Sequence, residues 1–311
     1  MKWALLVSVV LSVGCAGDSS ISVSDSAVIE PTDQYVPEST EPAHPAEEES
    51  HNTDEEEVLC EGQRISMPAV ERMLAATTVH DNEDIYSTYD RIDEIAYLFE
   101  QCGDPWGLFP TTYRRITARG IAAIENGDFA DPEWAKRIII DFANRYFENL
   151  YFVLTEDEPS WAWKQYYLLA DNADVAKTRA LIVAMSAHLM LDLPHCLVAI
   201  DSTEENKDDF FVFGDKMIEV SDLFIADLRL FYDTDAEDLL NGFFMGQWAD
   251  GVFGEDATMA LSFQTIRTKA WNNRWYLQRT WTAWIANSEI YSSFWLADGV
   301  LATLDAAGII D

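Results

Sequence analysis

The chain has 311 residues, 55 acidic against 20 basic side chains, a formal net charge of −35 and a hydrophobic share of 49%. An acidic excess of this size leaves no basic footprint for a phosphate backbone and excludes nucleic acid as a partner. The apolar share is that of a chain that can build a core.

The first fourteen residues predict an export signal, with Lys2, an apolar run from Trp3 to Val13, small Gly14 and then Cys15. The run is too short to span a bilayer as a helix. Leu11-Ser12-Val13-Gly14-Cys15 resembles a bacterial lipoprotein lipobox, with Ser12 departing from the usual leucine. The resemblance implies cleavage before Cys15, acylation of that cysteine and an extracytoplasmic protein anchored to a membrane through lipid. Ala16, where an inner-membrane retention signal has aspartate, implies the outer membrane. The alternative is an ordinary signal peptide cut near Ala16.

Residues 16–58 hold thirteen acids and no Lys or Arg, interleaved with Ser, Thr and Pro. Such a segment cannot bury enough apolar surface to offset its ordering entropy, so it is expected to be a disordered acidic tether. Its coil-like reach would be about 35–40 Å. The remaining 253 residues from Leu59 suit one domain with a sizeable core. The net charge divides as +1 in the signal, −13 in the tether and −23 in this domain. That balance would also suit a salty medium, where screening blunts self-repulsion. Of the domain's cysteines, Cys60 and Cys102 bracket the first two predicted helices and could be bridged in an oxidising compartment, while Cys196 lies in an apolar run as a small core residue.

Helical punctuation dominates the domain. Ser66 and Pro68 open a first helix, and Tyr86, Tyr89, Ile92, Ile95, Leu98 and Phe99 stripe a second. Thr111 begins a third, which Gly127 stops. Asp131-Pro132-Glu133 opens a fourth with cap, proline and first-turn acid, carrying Trp134, Ile138, Phe142, Tyr146 and Leu150 inward. Further helices are expected at 160–171, 174–193, 215–232, 235–248, 257–285 and 289–306, with a possible short strand at Phe210 to Phe213. Tryptophans 271, 275, 281 and 284 follow helical spacing and are expected in the core, with an aromatic cleft for lipid or glycan as the alternative. The fold class is therefore all-α, an irregular multi-helix domain without repeats.

His188, Asp192 and His195 interrupt an apolar run at spacing i, i+4, i+7, which places them on one face of an α-helix. Buried polar groups need partners, so this face is the candidate site. Pro194 is expected to kink the helix beside His195 by freeing the carbonyl of Met190. Ile116-Thr117-Ala118-Arg119, the run from Gly127 to Trp134, Phe142-Ala143-Asn144-Arg145-Tyr146, Trp161-Ala162-Trp163 and Ser186-Ala187-His188 to Asp192-Leu193 together resemble the uncharacterised bacterial domain family DUF5995. Arg267 with Ala270-Trp271 resembles its C-terminal signature. The family pattern has asparagine where this chain has Ser186, and it requires no histidine at His195. The resemblance implies a mostly helical domain and supplies no substrate. A more distant resemblance links His188, Asp192, Pro194 and His195 to helices of zinc-dependent phospholipase C and S1/P1 nucleases, but with a compressed ending and too few histidines for a trinuclear cluster.

Three roles stay open for His188 and Asp192. They form a polar lock with residues such as Asn144 or Arg145, or His188 is a general base in a metal-free pocket, or His188, Asp192 and His195 hold a single zinc-like ion that acidifies water. Arg145 is expected to pair with Glu148, or else to bind an anion in that pocket beside Asn144 and His195. No nucleophile elbow, phosphate-cradling loop or CxxC pair is present. Two functions are compatible with these features: an envelope lipoprotein whose domain binds a small ligand or protein partner through the polar pocket beside His188 and Asp192 without a cofactor, or a metal-assisted hydrolase of phosphoesters or lipids with His188 and Asp192 as catalytic residues.

Overall fold

A computed structural model of the chain describes residues 59–79, 83–245 and 262–310. The expected signal, Cys15, the 16–58 segment and His80 lie outside the described residues. What is described is all-α apart from one two-stranded hairpin, Cys60–Glu61 against Arg64–Ile65, turned at Gly62.

The helix starts reflect local chemistry. Ser66 accepts from the backbone of Ala69 to open α1 (Met67–Thr77), and Asp84 accepts from Tyr86 and Ser87 to open α2 (Ile85–Cys102). The Cys102 end of α2 closes on Gly103 in the left-handed conformation, where Asp104 N–H bonds the Phe99 carbonyl. A disulfide joins Cys102 to Cys60 and so ties the hairpin to α2, with 5.4 Å between Cα atoms. α3 (Leu108–Glu125) begins three residues before Thr111, which is buried within it and bonds Glu100 at 2.8 Å. Its preceding Gly107 lies against Tyr232 and Phe99, leaving no room for a side chain. Asp131 caps α4 (Pro132–Leu154) through Trp134 N–H, and the five expected inward residues of that helix are all buried.

α5 (Trp161–Ala170) leads to the longest apolar segment, in which α6 (Lys177–Ser186), a π-helical turn (Ala187–Asp192) and α7 (Leu193–Ala199) run on without a break. By length and composition this 177–199 stretch could cross a membrane, but it is mostly buried inside the domain and packs against α3, α4 and α5. It is the core helix.

Several expectations fail beyond this point. Phe210 to Phe213 is no strand but part of α8 (Lys207–Ile218), and the expected 215–232 helix is two, α8 and α9 (Ser221–Tyr232). The reason is local. Thr203 and Asn206 form a capping box just upstream, acids occupy the first turn of α8, and the Asp209 carboxylate accepts from Ala130 and Asp131 N–H at 2.9 and 2.7 Å, pinning α8 to the start of α4. After α10 (Glu237–Met245), the expected 257–285 helix, of which 257–261 lie outside the described residues, ends early as α11 (Phe263–Leu277), where the Thr282 hydroxyl donates to the carbonyls of Tyr276 and Arg279. α12 (Ala283–Ala306) then turns back onto α11 and α6, held by Arg179 to Asp298 at 2.8 Å and to Asp305 at 3.3 Å. Only Trp271 of the four tryptophans expected in the core is buried there.

Candidate functional site

The π-helical turn sets the geometry around His188. Leu193 N–H bonds the His188 carbonyl five residues back, and Pro194, next in line, has no N–H to offer. The wide turn inserts one residue into the register, which rotates the downstream residues by about 100° relative to an unbroken α-helix. His188 and Asp192 therefore stay together while His195 leaves their face. His188 is 3% and Asp192 5% exposed, whereas His195 is only partly buried.

His188 Nδ1 lies 3.0 Å from Asp192 Oδ2, and the same oxygen accepts from Trp163 Nε1 at 2.8 Å. The imidazole is boxed by aromatic rings. Phe142 stacks on it at 3.4 Å between centroids, with Phe109 and Tyr113 edge-on at 5.1 and 4.9 Å and Trp163 at 5.9 Å. Burial lowers the His188 pKa more than the Asp192 bond raises it, so the ring is neutral at pH 7 and its Nδ1–H faces the carboxylate. Nε2 is buried with no partner. Burial and the charge of Arg145 likewise lower His195.

The partners of the pair differ from those expected. Neither Asn144 nor Arg145 bonds it; Trp163 does. Arg145 pairs with Asp141 at 2.8 Å, one turn back, and not with exposed Glu148, while the Asn144 side-chain oxygen is buried without a partner. Arg145 makes no hydrogen bond to His188 or His195 and acts on both through its charge, which lowers the pKa of each. The three-ligand set of His188, Asp192 and His195 does not form either: among the described residues no three His, Cys, Asp or Glu side chains are grouped to hold a metal ion. Cys196 is a buried free thiol packed as core.

A second region lies where helical spacing favoured core packing over an aromatic cleft, and there Trp275, Trp281 and Trp284 are exposed. α12 is apolar on both faces. Its inner residues Ile290, Phe294 and Leu301 are buried, while Trp284 (67% exposed), Ile285, Tyr291, Trp295 and Leu296 face outward, next to Trp281 at 75%. Trp161 at the start of α5 joins them, 5.1 Å from Tyr291 and 6.2 Å from Trp295 between ring centroids. Two open grooves meet at Trp161. One, about 550 Å³, is lined by Glu158, Lys164, Gln165, Leu168 and Trp295; the other, about 530 Å³, by Leu191, Trp284, Asn287, Ser288 and Tyr291. The signal that could have found this face is charge. From Trp275 to Leu296 the only ionisable acids and bases are Arg279 and Glu289, in a chain of which 24% is charged.

The sequence profile of a family of unknown function, DUF5995, matches residues 85–290, about two thirds of the chain. The chain belongs to the DUF5995 family. No curated protein and no solved structure matches it. The matched stretch takes in the His188 box, α5 and the N-terminal part of the aromatic face, while Tyr291, Trp295 and Leu296 lie just beyond it.

Proposed function

We propose that this DUF5995 chain is an extracytoplasmic lipoprotein, anchored through Cys15, whose helical domain is a binding module for uncharged glycan of the cell envelope. The observation that carries the reading is the aromatic face around Trp161. Its grooves combine indole and phenol rings, on which the C–H faces of sugar rings can lie, with amide and hydroxyl groups of Gln165, Asn287 and Ser288 at the rims. Mostly apolar concave walls with a few placed polar groups are the usual make-up of a ligand site. Large exposed apolar patches mark interaction sites, and this one carries few acids for so acidic a chain, with Glu158 at one groove and Glu289 on α12. Concave, amide-rimmed grooves suit a hydroxyl-rich polymer better than the flat surface of a bilayer.

The test is co-sedimentation of the Cys15→Ser chain with insoluble polysaccharide prepared from the producing cell's own envelope. The chain is expected to pellet with it, and Trp161→Ala and Trp284→Ala to weaken binding about thirtyfold each, as for aromatic hot spots of about 2 kcal/mol. No pelleting, or binding indifferent to both tryptophans, would defeat the reading; binding to phospholipid vesicles in its place would assign the face to lipid.

One observation favours the hydrolase alternative. His188 is oriented by Asp192 and keeps Nε2 free, as a general base would. Against it stands the enclosure of that nitrogen among Phe109, Tyr113, Phe142 and Trp163, which leaves a substrate no approach. Phosphoesterase or lipase turnover abolished by His188→Gln would revive it.

A further inference from the structure

Arg267 on α11 is only 2% exposed. Its guanidinium lies over the rings of Phe210 and Phe263 at 4.2 and 5.3 Å, and Nη2 donates to the Phe210 carbonyl oxygen. Nη1 has no hydrogen-bond partner, and no ion pair engages the group among the described residues. Gly214 of α8 makes the room, because a methyl group there would overlap Nη1. Arg267 is also the one charged residue lining a small cavity of about 30 Å³, whose other walls include Tyr113, Ile116, Phe142, Leu189, Phe213 and Met217.

A buried cation is costly unless it is paired, and the carboxylate of Asp215, next to Gly214 on α8, acts on Arg267 through its charge without forming an ion pair. Burial pushes the Arg267 pKa down to about 9, which still leaves it charged at neutral pH. Cation–π contacts offset part of the cost. The result is a positive charge and a spare donor beside a small cavity. Water needs two to four polar partners, and besides Arg267 the walls offer only the hydroxyls of Tyr113 and Thr117, which bond each other. An anion needs only the donor and the charge. Oxyanions such as phosphate or sulfate carry too many acceptors for these walls.

We propose that the cavity between α3, α4 and α8 is a site for a single monovalent anion of halide size, held by Arg267 Nη1 as donor and counter-charge. The anion gives the unsatisfied Nη1 an acceptor and stabilises the packing of α8 against α11. It is separate from the aromatic face, and its test does not depend on glycan binding.

The experiment uses the full chain with Cys15→Ser, dialysed into sodium gluconate and titrated with sodium chloride or sodium bromide at constant ionic strength. The Tm is expected to rise with either halide along a saturable binding curve and to ignore sulfate. Bromide-soaked crystals should show one anomalous peak beside Arg267. Arg267→Met should abolish the halide dependence, and Gly214→Ala, which displaces the guanidinium, should weaken it at least tenfold. If Arg267→Met does not fold, the bromide peak and the Gly214→Ala titration decide. A Tm indifferent to halide, or only a water beside Nη1 in bromide crystals, would overturn the proposal.

Discussion

At the scale of single residues, His188 and Asp192 hold the domain's core together through one carboxylate oxygen. Asp192→Ala leaves both His188 Nδ1 and Trp163 Nε1 unpaired among aromatic rings, and is expected to cost about 2–4 kcal/mol in urea unfolding. Arg145→Ala breaks a half-exposed i, i+4 pair and should cost no more than about 0.5 kcal/mol in the same assay. The same burial gives a pH signature. Both His188 and His195 have lowered folded-state pKa values, so below the unfolded value of about 6.5 the unfolded chain takes up protons that the folded chain refuses. Stability is therefore full above that pH and falls as pH drops below it. His188→Gln should flatten the fall between about pH 6.5 and 5; an unchanged slope would show that His188 is already charged in the fold. The polar residues were legible from His188, Asp192 and their spacing. The identity of their partner was not, because Trp163 lies on another helix and nothing in local spacing brings it there.

At the scale of elements, capping chemistry made helix starts readable and breaks inside apolar runs hard to see. Asp131-Pro132-Glu133 opens α4 where expected, since cap and proline act within one turn. The π-helical turn before Pro194 could not be read from periodicity, because one inserted residue leaves the sequence pattern apolar throughout and changes only the register. Tryptophans 275, 281 and 284 kept a core-like spacing, yet α11 ends at Leu277 and the turn after it carries Trp281 outward. Spacing reports which residues share a face, not whether another element covers it. The disulfide between Cys60 and Cys102 closes a loop of 42 residues in sequence separation, which in a chain-entropy account stabilises by about 4 kcal/mol. Cys60→Ser is expected to lose up to that amount and to make stability insensitive to added reductant; an equally stable variant would mean that the hairpin packs on α2 without the bond.

At the scale of the whole molecule, a net charge of −35 loads the surface with like charge. Raising ionic strength with sodium gluconate should therefore increase Tm by screening that repulsion, before any halide is added. The proposed anchor gives a separate outcome in the cell. Cys15→Ser should move the protein from the membrane to the soluble extracytoplasmic fraction, and full membrane retention of that variant would contradict anchoring at Cys15. The central claim is that the domain works through its aromatic face and not through the His188 box. Hydrogen–deuterium exchange with and without envelope polysaccharide tests it most directly. Slowed exchange confined to the start of α5 and the first half of α12, around Trp161, Trp284 and Tyr291, is the predicted result. Ligand-dependent protection centred on Ala187–Asp192, with residues 281–296 unchanged, would contradict it.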